Sequence, residues 1–282
     1  MLKENNFLKK IIKFFTPYFI KNLYVSYVFS LKGKKYCFHY NLLSKLFFNS
    51  INSVAFDNGR YFITGKDVKK WSFTHTDRGF FYLKGVKSRG KILHSDYGIN
   101  KIDFKDGDVI IDCGADTGDF FAGFDEKIDY HGYEPSPTNY PNLRYNAENQ
   151  NVFQYALWKN SNHDIKFYES DISKKKSATN VPEATRIISV KTKTLDEIID
   201  EINKNIKLIK VEGTGSEPEI LEGLKKNLNK VEFITVDASF ERGINKDHTI
   251  AECCNYLIEN NFSLIEFKFS KICLLFRNKF YK

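Results

Sequence analysis

The run Val109-Ile-Ile-Asp-Cys-Gly-Ala-Asp-Thr-Gly-Asp119 constrains the fold more than any other stretch of this 282-residue chain. Three β-branched residues make a short, wholly apolar strand, the pattern of a strand buried on both faces. A turn of small residues follows, and then a helical start. Gly114 and Gly118 let the backbone come close to a ligand, and amide groups beyond the turn can hold a carboxylate or phosphate. Asp112, at the strand's end, can take hydrogen bonds from a ligand ammonium group or orient the turn.

The text downstream repeats the theme. Tyr130-His-Gly-Tyr133 and Val152-Phe-Gln-Tyr-Ala156 read as the second and third strands, and residues 206–211 and 231–236 as the fourth and fifth. Helical spacing occupies 217–228 and 249–260. Two strand-like runs, 262–269 and 271–276, close the chain as an antiparallel hairpin. Alternating strands and helices ending in such a hairpin predict a doubly wound, mostly parallel α/β sheet. Ahead of it, residues 59–98 read as short strands and turns, with strands at 61–64, 80–83 and 91–93. Lys174-Lys-Lys-Ser177 reads as a mobile insertion.

Charge separates the two regions. Residues 1–100 hold 18 Lys+Arg against 5 Asp+Glu, and residues 101–282 hold 25 against 30. We therefore expect a basic appendage over 1–100, joined to a mildly acidic domain over 101–282. Within residues 1–20, Phe7, Leu8, Ile11, Ile12, Phe14, Phe15, Tyr18 and Phe19 fall in an arc of about 160° on a helix, opposite Lys9, Lys10 and Lys13. Such a helix can lie on an anionic membrane or pack its apolar stripe on the protein. No apolar stretch reaches the roughly 18–20 residues of a spanning helix, which excludes a multi-pass transporter. No signal peptide is expected, so the location is cytoplasmic, with peripheral contact at the membrane's inner face as an option. Five cysteines without a CxxC pair suggest small buried hydrophobes in a reducing compartment.

Glu134 ends the second strand 22 residues after Asp112, where an acid suits the two hydroxyls of an adenosine ribose. The turn is not GxGxxG, which disfavours nicotinamide and flavin dinucleotides, and no GxxxxGK[ST] element is present. The order strand, DxGxxxG, strand, Glu fits S-adenosylmethionine. On these blocks, together with Tyr133-Glu-Pro-Ser-Pro137, Val190-Lys-Thr-Lys-Thr-Leu-Asp-Glu-Ile198, residues 208–223 and Thr235-Val-Asp-Ala-Ser-Phe-Glu-Arg-Gly243, the chain resembles the FkbM-type family of S-adenosylmethionine-dependent methyltransferases over roughly 78–270. The resemblance implies a class I Rossmann-like fold. It implies that Asp112, Gly114 and Gly118 contact the methionine part of the cofactor and that Glu134 binds its ribose. Ala156 and Leu157 would lie near the adenine, and Ala115, Asp116, Asp119, Pro135 and Ser136 would complete the cofactor-binding motifs.

One motif departs from the family pattern K-x-D-x-E-G-x-E: here Lys210-Val-Glu212-Gly-Thr214-Gly-Ser-Glu217 replaces the Asp by Glu212 and the first Glu by Thr214. Methyl transfer needs an in-line acceptor, exclusion of water and often a base. Glu212 is the first choice for that base and Asp237 the second, with Lys210 orienting the acceptor or pairing with an acid. Glu217 reads as a residue that caps or dipole-stabilises the helix starting near Pro218, His131 as a packed core residue, and no metal site is expected. Glu241-Arg242-Gly243 is a candidate for substrate contact or for a loop salt bridge. The expected activity is O-methylation of a sugar hydroxyl in a bacterial surface glycan or glycosylated metabolite. An RNA methyltransferase gripping its substrate with the basic segment, or a non-catalytic scaffold, are the alternatives. Few of the basic residues are Arg and no RNA-binding module is evident, so no nucleic-acid partner is expected.

Overall fold

The computed structural model describes residues 18–171, 175–269 and 271–281, with side chains from residue 22 onward. The amphipathic stretch read at 1–20 therefore lies outside the described residues, apart from the backbone of 18–20. The chain divides into two compact units, Met1–Arg89 and Gly90–Lys282, so the division falls ahead of the boundary at residue 100 that charge suggested.

The first unit holds helices α1 (Tyr18–Ser30) and α2 (Gly33–Phe47), followed by strands β1 (Ser53–Asp57), β2 (Arg60–Thr64) and β3 (Trp71–Phe73). The three strands form an antiparallel sheet in sequential order. Rings fill its core, with Tyr36 tilted against Tyr40, Tyr61 stacked on Phe73, and Phe73 edge-on to Tyr82. Two expected strands are not strands. The run 80–83 starts inside a single helical turn, α3 (Arg78–Phe81), and ends in the bend after it. Residues 91–93 lie inside α4 (Val86–Asp96), the helix that carries the division between the units.

The second unit is built on seven strands in the order β13-β14-β12-β11-β4-β5-β6. In chain order these are β4 (Val109–Cys113), β5 (Asp129–Tyr133), then helix α5 (Tyr140–Asn146) and β6 (Asn151–Phe153). A small second sheet intervenes: β7 (Ala156–Leu157), β8 (Asp164–Glu169), β9 (Lys176–Ser177) and β10 (Arg186–Lys193). Helix α6 (Leu195–Ile202), β11 (Ile206–Val211), α7 (Glu217–Leu221), β12 (Val231–Asp237), α8 (Ile250–Glu259), β13 (Phe262–Lys268) and β14 (Cys273–Asn278) complete the chain. All seven strands of the large sheet run one way except β14, which is antiparallel to both neighbours.

Burial on both faces explains the apolar strand runs. In β4, Ile111 packs with Leu195, Ile198 and Ile199 of α6 and Leu257 of α8 on one face. Its neighbour Ile110 packs with Leu93 of α4, Phe120 and Leu143 of α5 on the other. Helix α6 starts at Thr194, whose hydroxyl accepts the Glu197 N–H at 3.1 Å, a capping arrangement. The helix expected over 217–228 is shorter and stops at Leu221, and the run 152–156 divides between β6 and β7 of different sheets. The second sheet has its own small core of Ala156, Phe167 and Val190. Cys37, Cys113, Cys253 and Cys273 are buried and Cys254 is half-buried, all as free thiols.

Candidate active site

Parallel strands bring the carboxyl ends of β4, β5, β11 and β12 to one edge of the sheet, where α/β folds bind ligands. Register sets Asp112 of β4 beside Lys210 of β11. Asp112 is fully buried, accepts the Tyr130 hydroxyl at 2.6 Å and ion-pairs with Lys210 Nζ at 2.9 Å. The same ammonium lies 3.0 Å from Glu212 and donates to the Gly114 carbonyl at 2.8 Å. Burial pushes the Lys210 ammonium down, but Asp112 and Glu212 outweigh it and hold it above the usual lysine range. Lys210 thus pins the glycine turn through the Gly114 carbonyl and pairs with both acids. Asp112 holds Lys210 and Tyr130.

The turn itself is close-packed. Gly114 has φ +77°, and a Cβ there would sit 2.0 Å from the Glu212 carbonyl oxygen. The Gly114 and Ala115 N–H groups donate to the Tyr133 carbonyl at 2.9 and 3.0 Å. Asp116, also left-handed at φ 51°, turns its N–H onto Glu134 Oε2 at 2.9 Å. Gly118 N–H donates to the Ala115 carbonyl, and Thr117 donates to the buried Asp119 at 3.2 Å.

Glu134 follows β5 and is buried. Its other oxygen accepts the Ser136 N–H at 2.8 Å. Burial lifts its carboxyl to about 7, Asp116 adding to the effect while Lys176 and the two amides oppose it. Each oxygen of Glu134 holds one amide and keeps a further lone pair. That acceptor set, beside a left-handed turn of small residues, fits the two hydroxyls of an adenosine ribose. Pro135 is half-buried, and Ser136 donates to Glu169 at 2.5 Å.

The second sheet reaches this edge through β9. Lys176, expected in a mobile insertion, donates to Ser136 Oγ at 2.9 Å and Asn139 Oδ1 at 2.7 Å. Its neighbour Ser177 donates to the Thr214 carbonyl at 2.8 Å. Residues 175–177 are therefore tied into the site, whereas Lys174 lies outside the described residues. Ala156 and Leu157 are buried in β7, paired with Thr192 and Lys193 of β10.

Asp237 ends β12, buried, with Ser239 N–H donating to it at 3.1 Å. Lys271, in the turn between β13 and β14, contacts Asp237 Oδ2 at 2.9 Å, the Tyr97 hydroxyl at 2.8 Å, and Glu212. Burial alone would raise Glu212, but Lys271 and Lys210 hold it well below the usual carboxylate range. Burial lifts Asp237 above its usual range, with Lys271 opposing and Glu212 adding. The two carboxyls thus shift in opposite directions, Glu212 down and Asp237 up. Lys271 and Tyr97 escaped the sequence reading because neither belongs to a motif, and Lys271 lies 59 residues beyond Glu212.

The remaining candidates are structural. Glu217 accepts the Gly213 and Gly215 N–H groups, each at 2.9 Å, and the Thr249 hydroxyl at 2.9 Å. It shapes the loop after β11 and stands as an acid in the first turn of α7, the place that favours a negative charge. Arg242 forms a two-pronged pair with Glu219 at 2.9 and 2.6 Å, resolving that candidate as a loop salt bridge. His131 is buried against Asp129 at 3.0 Å.

A family model described as "Methyltransferase FkbM domain" matches residues 112–278, more than half of the chain. The chain belongs to the FkbM methyltransferase family. S-adenosylmethionine is accordingly its cofactor, and the seven-strand order is the class I methyltransferase sheet. No curated protein matches the sequence significantly. Among solved structures, this FkbM-family chain is similar to precorrin-6y C5,15-methyltransferase from Geobacter metallireducens GS-15, with 11% identity, 65% of this chain and 87% of that one covered, and a TM-score of 0.39. It is also similar to magnesium protoporphyrin IX methyltransferase from Synechocystis PCC 6803 with bound SAM (10%; 70% and 81%; 0.40). Aeropyrum pernix fibrillarin with natively bound S-adenosyl-L-methionine is a third (10%; 79% and 96%; 0.38).

Proposed function

We propose that this FkbM-family methyltransferase O-methylates a sugar hydroxyl in a bacterial surface glycan or a glycosylated metabolite. The observation that carries the reading is the pair Glu212 and Asp237, bridged by Lys271 at the carboxyl edge, with Phe240 exposed three residues beyond Asp237. When bound, S-adenosylmethionine supplies a methyl group made electrophilic by a sulfonium. Asp237 takes the proton from the acceptor hydroxyl, and Glu212 with Lys271 orients that hydroxyl. Phe240, edge-on to His248 at 5.3 Å between centroids, offers a ring on which a sugar's C–H face can stack. Glu134, the 114–119 turn, Pro135, Ser136, Ala156 and Leu157 serve the cofactor.

On this reading the reaction takes place in the cytoplasm. Residues 1–20 would hold the enzyme at an anionic inner membrane face, which suits a lipid-linked acceptor. No helix among the described residues is long and apolar enough to cross a membrane.

The test is transfer of a tritiated methyl group from S-adenosylmethionine into sugar nucleotides, lipid-linked oligosaccharides and, in parallel, RNA. Label in a sugar, lost in Asp237→Asn and reduced in Phe240→Ala, is the expected result. Label in RNA alone would overturn the sugar assignment. Deleting residues 1–20 should release the protein from anionic vesicles, and unchanged binding would end the membrane reading.

A further inference from the structure

Five charged side chains alternate in sign across the carboxyl edge of the sheet. Asp112 pairs with Lys210 at 2.9 Å, and Lys210 with Glu212 at 3.0 Å. Glu212 pairs with Lys271, and Lys271 with Asp237 at 2.9 Å. The chain runs from β4 through β11 to β12, closed by the turn of the terminal hairpin. Three carboxylates meet two ammonium groups, which leaves one negative charge in surplus. Around the chain, Tyr97 and Tyr130 are buried phenols and contribute hydrogen bonds without charge. Asp112, Lys210 and Asp237 are buried and Glu212 and Lys271 half-buried, so solvent screens the surplus charge only in part.

We infer that this five-residue chain senses the charge state of the methyl donor: its surplus negative charge favours the sulfonium of S-adenosylmethionine over the neutral thioether of S-adenosylhomocysteine. The inference rests on the cofactor assignment above and extends it. Methyl transfer removes the positive charge from the sulfur, so the same edge that holds the donor loosens its grip on the product. Lys271 is then a positioning residue. It keeps Glu212 and Asp237 apart and ionised, so that one charge is left over and two are not forced together.

Calorimetric titration of the full chain with S-adenosylmethionine and with S-adenosylhomocysteine at pH 8 tests this without any acceptor. Glu212→Gln and Asp237→Asn each remove the surplus charge. Each should lower the preference for the sulfonium ligand by roughly tenfold or more, through loss of one unit of Coulomb attraction in a partly screened site. The exposed control Asp200→Asn should leave the ratio unchanged. A ratio unaltered in both edge variants, with both ligands still bound, overturns the inference. Failure of the unsubstituted protein to bind either ligand would instead overturn the cofactor assignment beneath it. The two substitutions come from different strands, so if one variant fails to fold the other still decides the question.

Discussion

Replacing Gly114 by Ala tests the packing of the cofactor turn. Two costs separate cleanly here. The left-handed backbone, φ +77°, disfavours any residue with a Cβ by about 1–2 kcal/mol. The second cost is steric, because the new Cβ would sit 2.0 Å from the Glu212 carbonyl oxygen. Glu212 N–H in turn donates to Cys113 at 3.1 Å, so relief requires the ends of β4 and β11 to separate. Overpacking of this kind costs about 1–3 kcal/mol. Gly107 supplies the comparison, since it has φ +88° and nothing within 4 Å of a built Cβ. Gly107→Ala should therefore cost only the backbone share, and Gly114→Ala about 2 kcal/mol more. For a unit of this size that difference is roughly 4–8 °C in melting temperature. The assay is a thermal scan of the full chain, following the transition that S-adenosylhomocysteine raises. Equal losses in the two variants would refute the claim that the turn is packed against β11.

Burial lifts Glu217 to about 7, with its loop N–H bonds opposing the rise. An acid whose pKa is higher folded than unfolded stabilises less as pH rises from about 4.5 to about 7. Glu217→Gln keeps the oxygen that accepts both glycine amides and lets Thr249 turn its hydroxyl into an acceptor. It should gain up to about 3 kcal/mol relative to the parent between pH 5 and pH 8, and parallel urea curves at the two pH values would contradict this. Lys176→Met removes the cation that bridges Ser136 and Asn139 and opposes the rise of Glu134. It should weaken binding of the neutral S-adenosylhomocysteine by roughly tenfold, and calorimetry showing its affinity unchanged would argue against a place at the ribose. Arg242→Ala should cost about 1 kcal/mol, since the Glu219 pair is only partly exposed. Tritium transfer should persist in that variant, and its abolition would restore Arg242 as an acceptor contact.

Much of the catalytic unit was legible because its central strands are buried on both faces. Val109-Ile-Ile, residues 206–211 and residues 231–236 are apolar runs with one structural outcome, and β4, β11 and β12 followed. Rings misled the reading further upstream. Phe80-Phe-Tyr-Leu83 has the composition of a strand, yet it continues a helical turn begun at Arg78. The second sheet went unseen because β8 and β10 are largely half-buried or exposed and read as polar text. In the site, Asp112, Glu134, Glu212 and Asp237 announced themselves by ending strands. Their electrostatics did not, because Lys271, which pulls both carboxyls of Glu212 and Asp237 down, is brought between them only by the tertiary fold.

The reversed last strand has a consequence for how the family can diversify. Because β14 runs against its neighbours, the connection that carries Lys271 returns to the edge where the parallel strands finish, and Cys273 lies opposite Asp237. A single surface turn near the end of the chain thus delivers a cation to the reaction edge, while the strands on either side keep their pairing whatever that turn contains. Exchanging a few residues there is a route to new acceptor preferences that leaves the threading of the sheet intact, and a focused library at Phe269 and Lys271 is where laboratory evolution of this scaffold should begin.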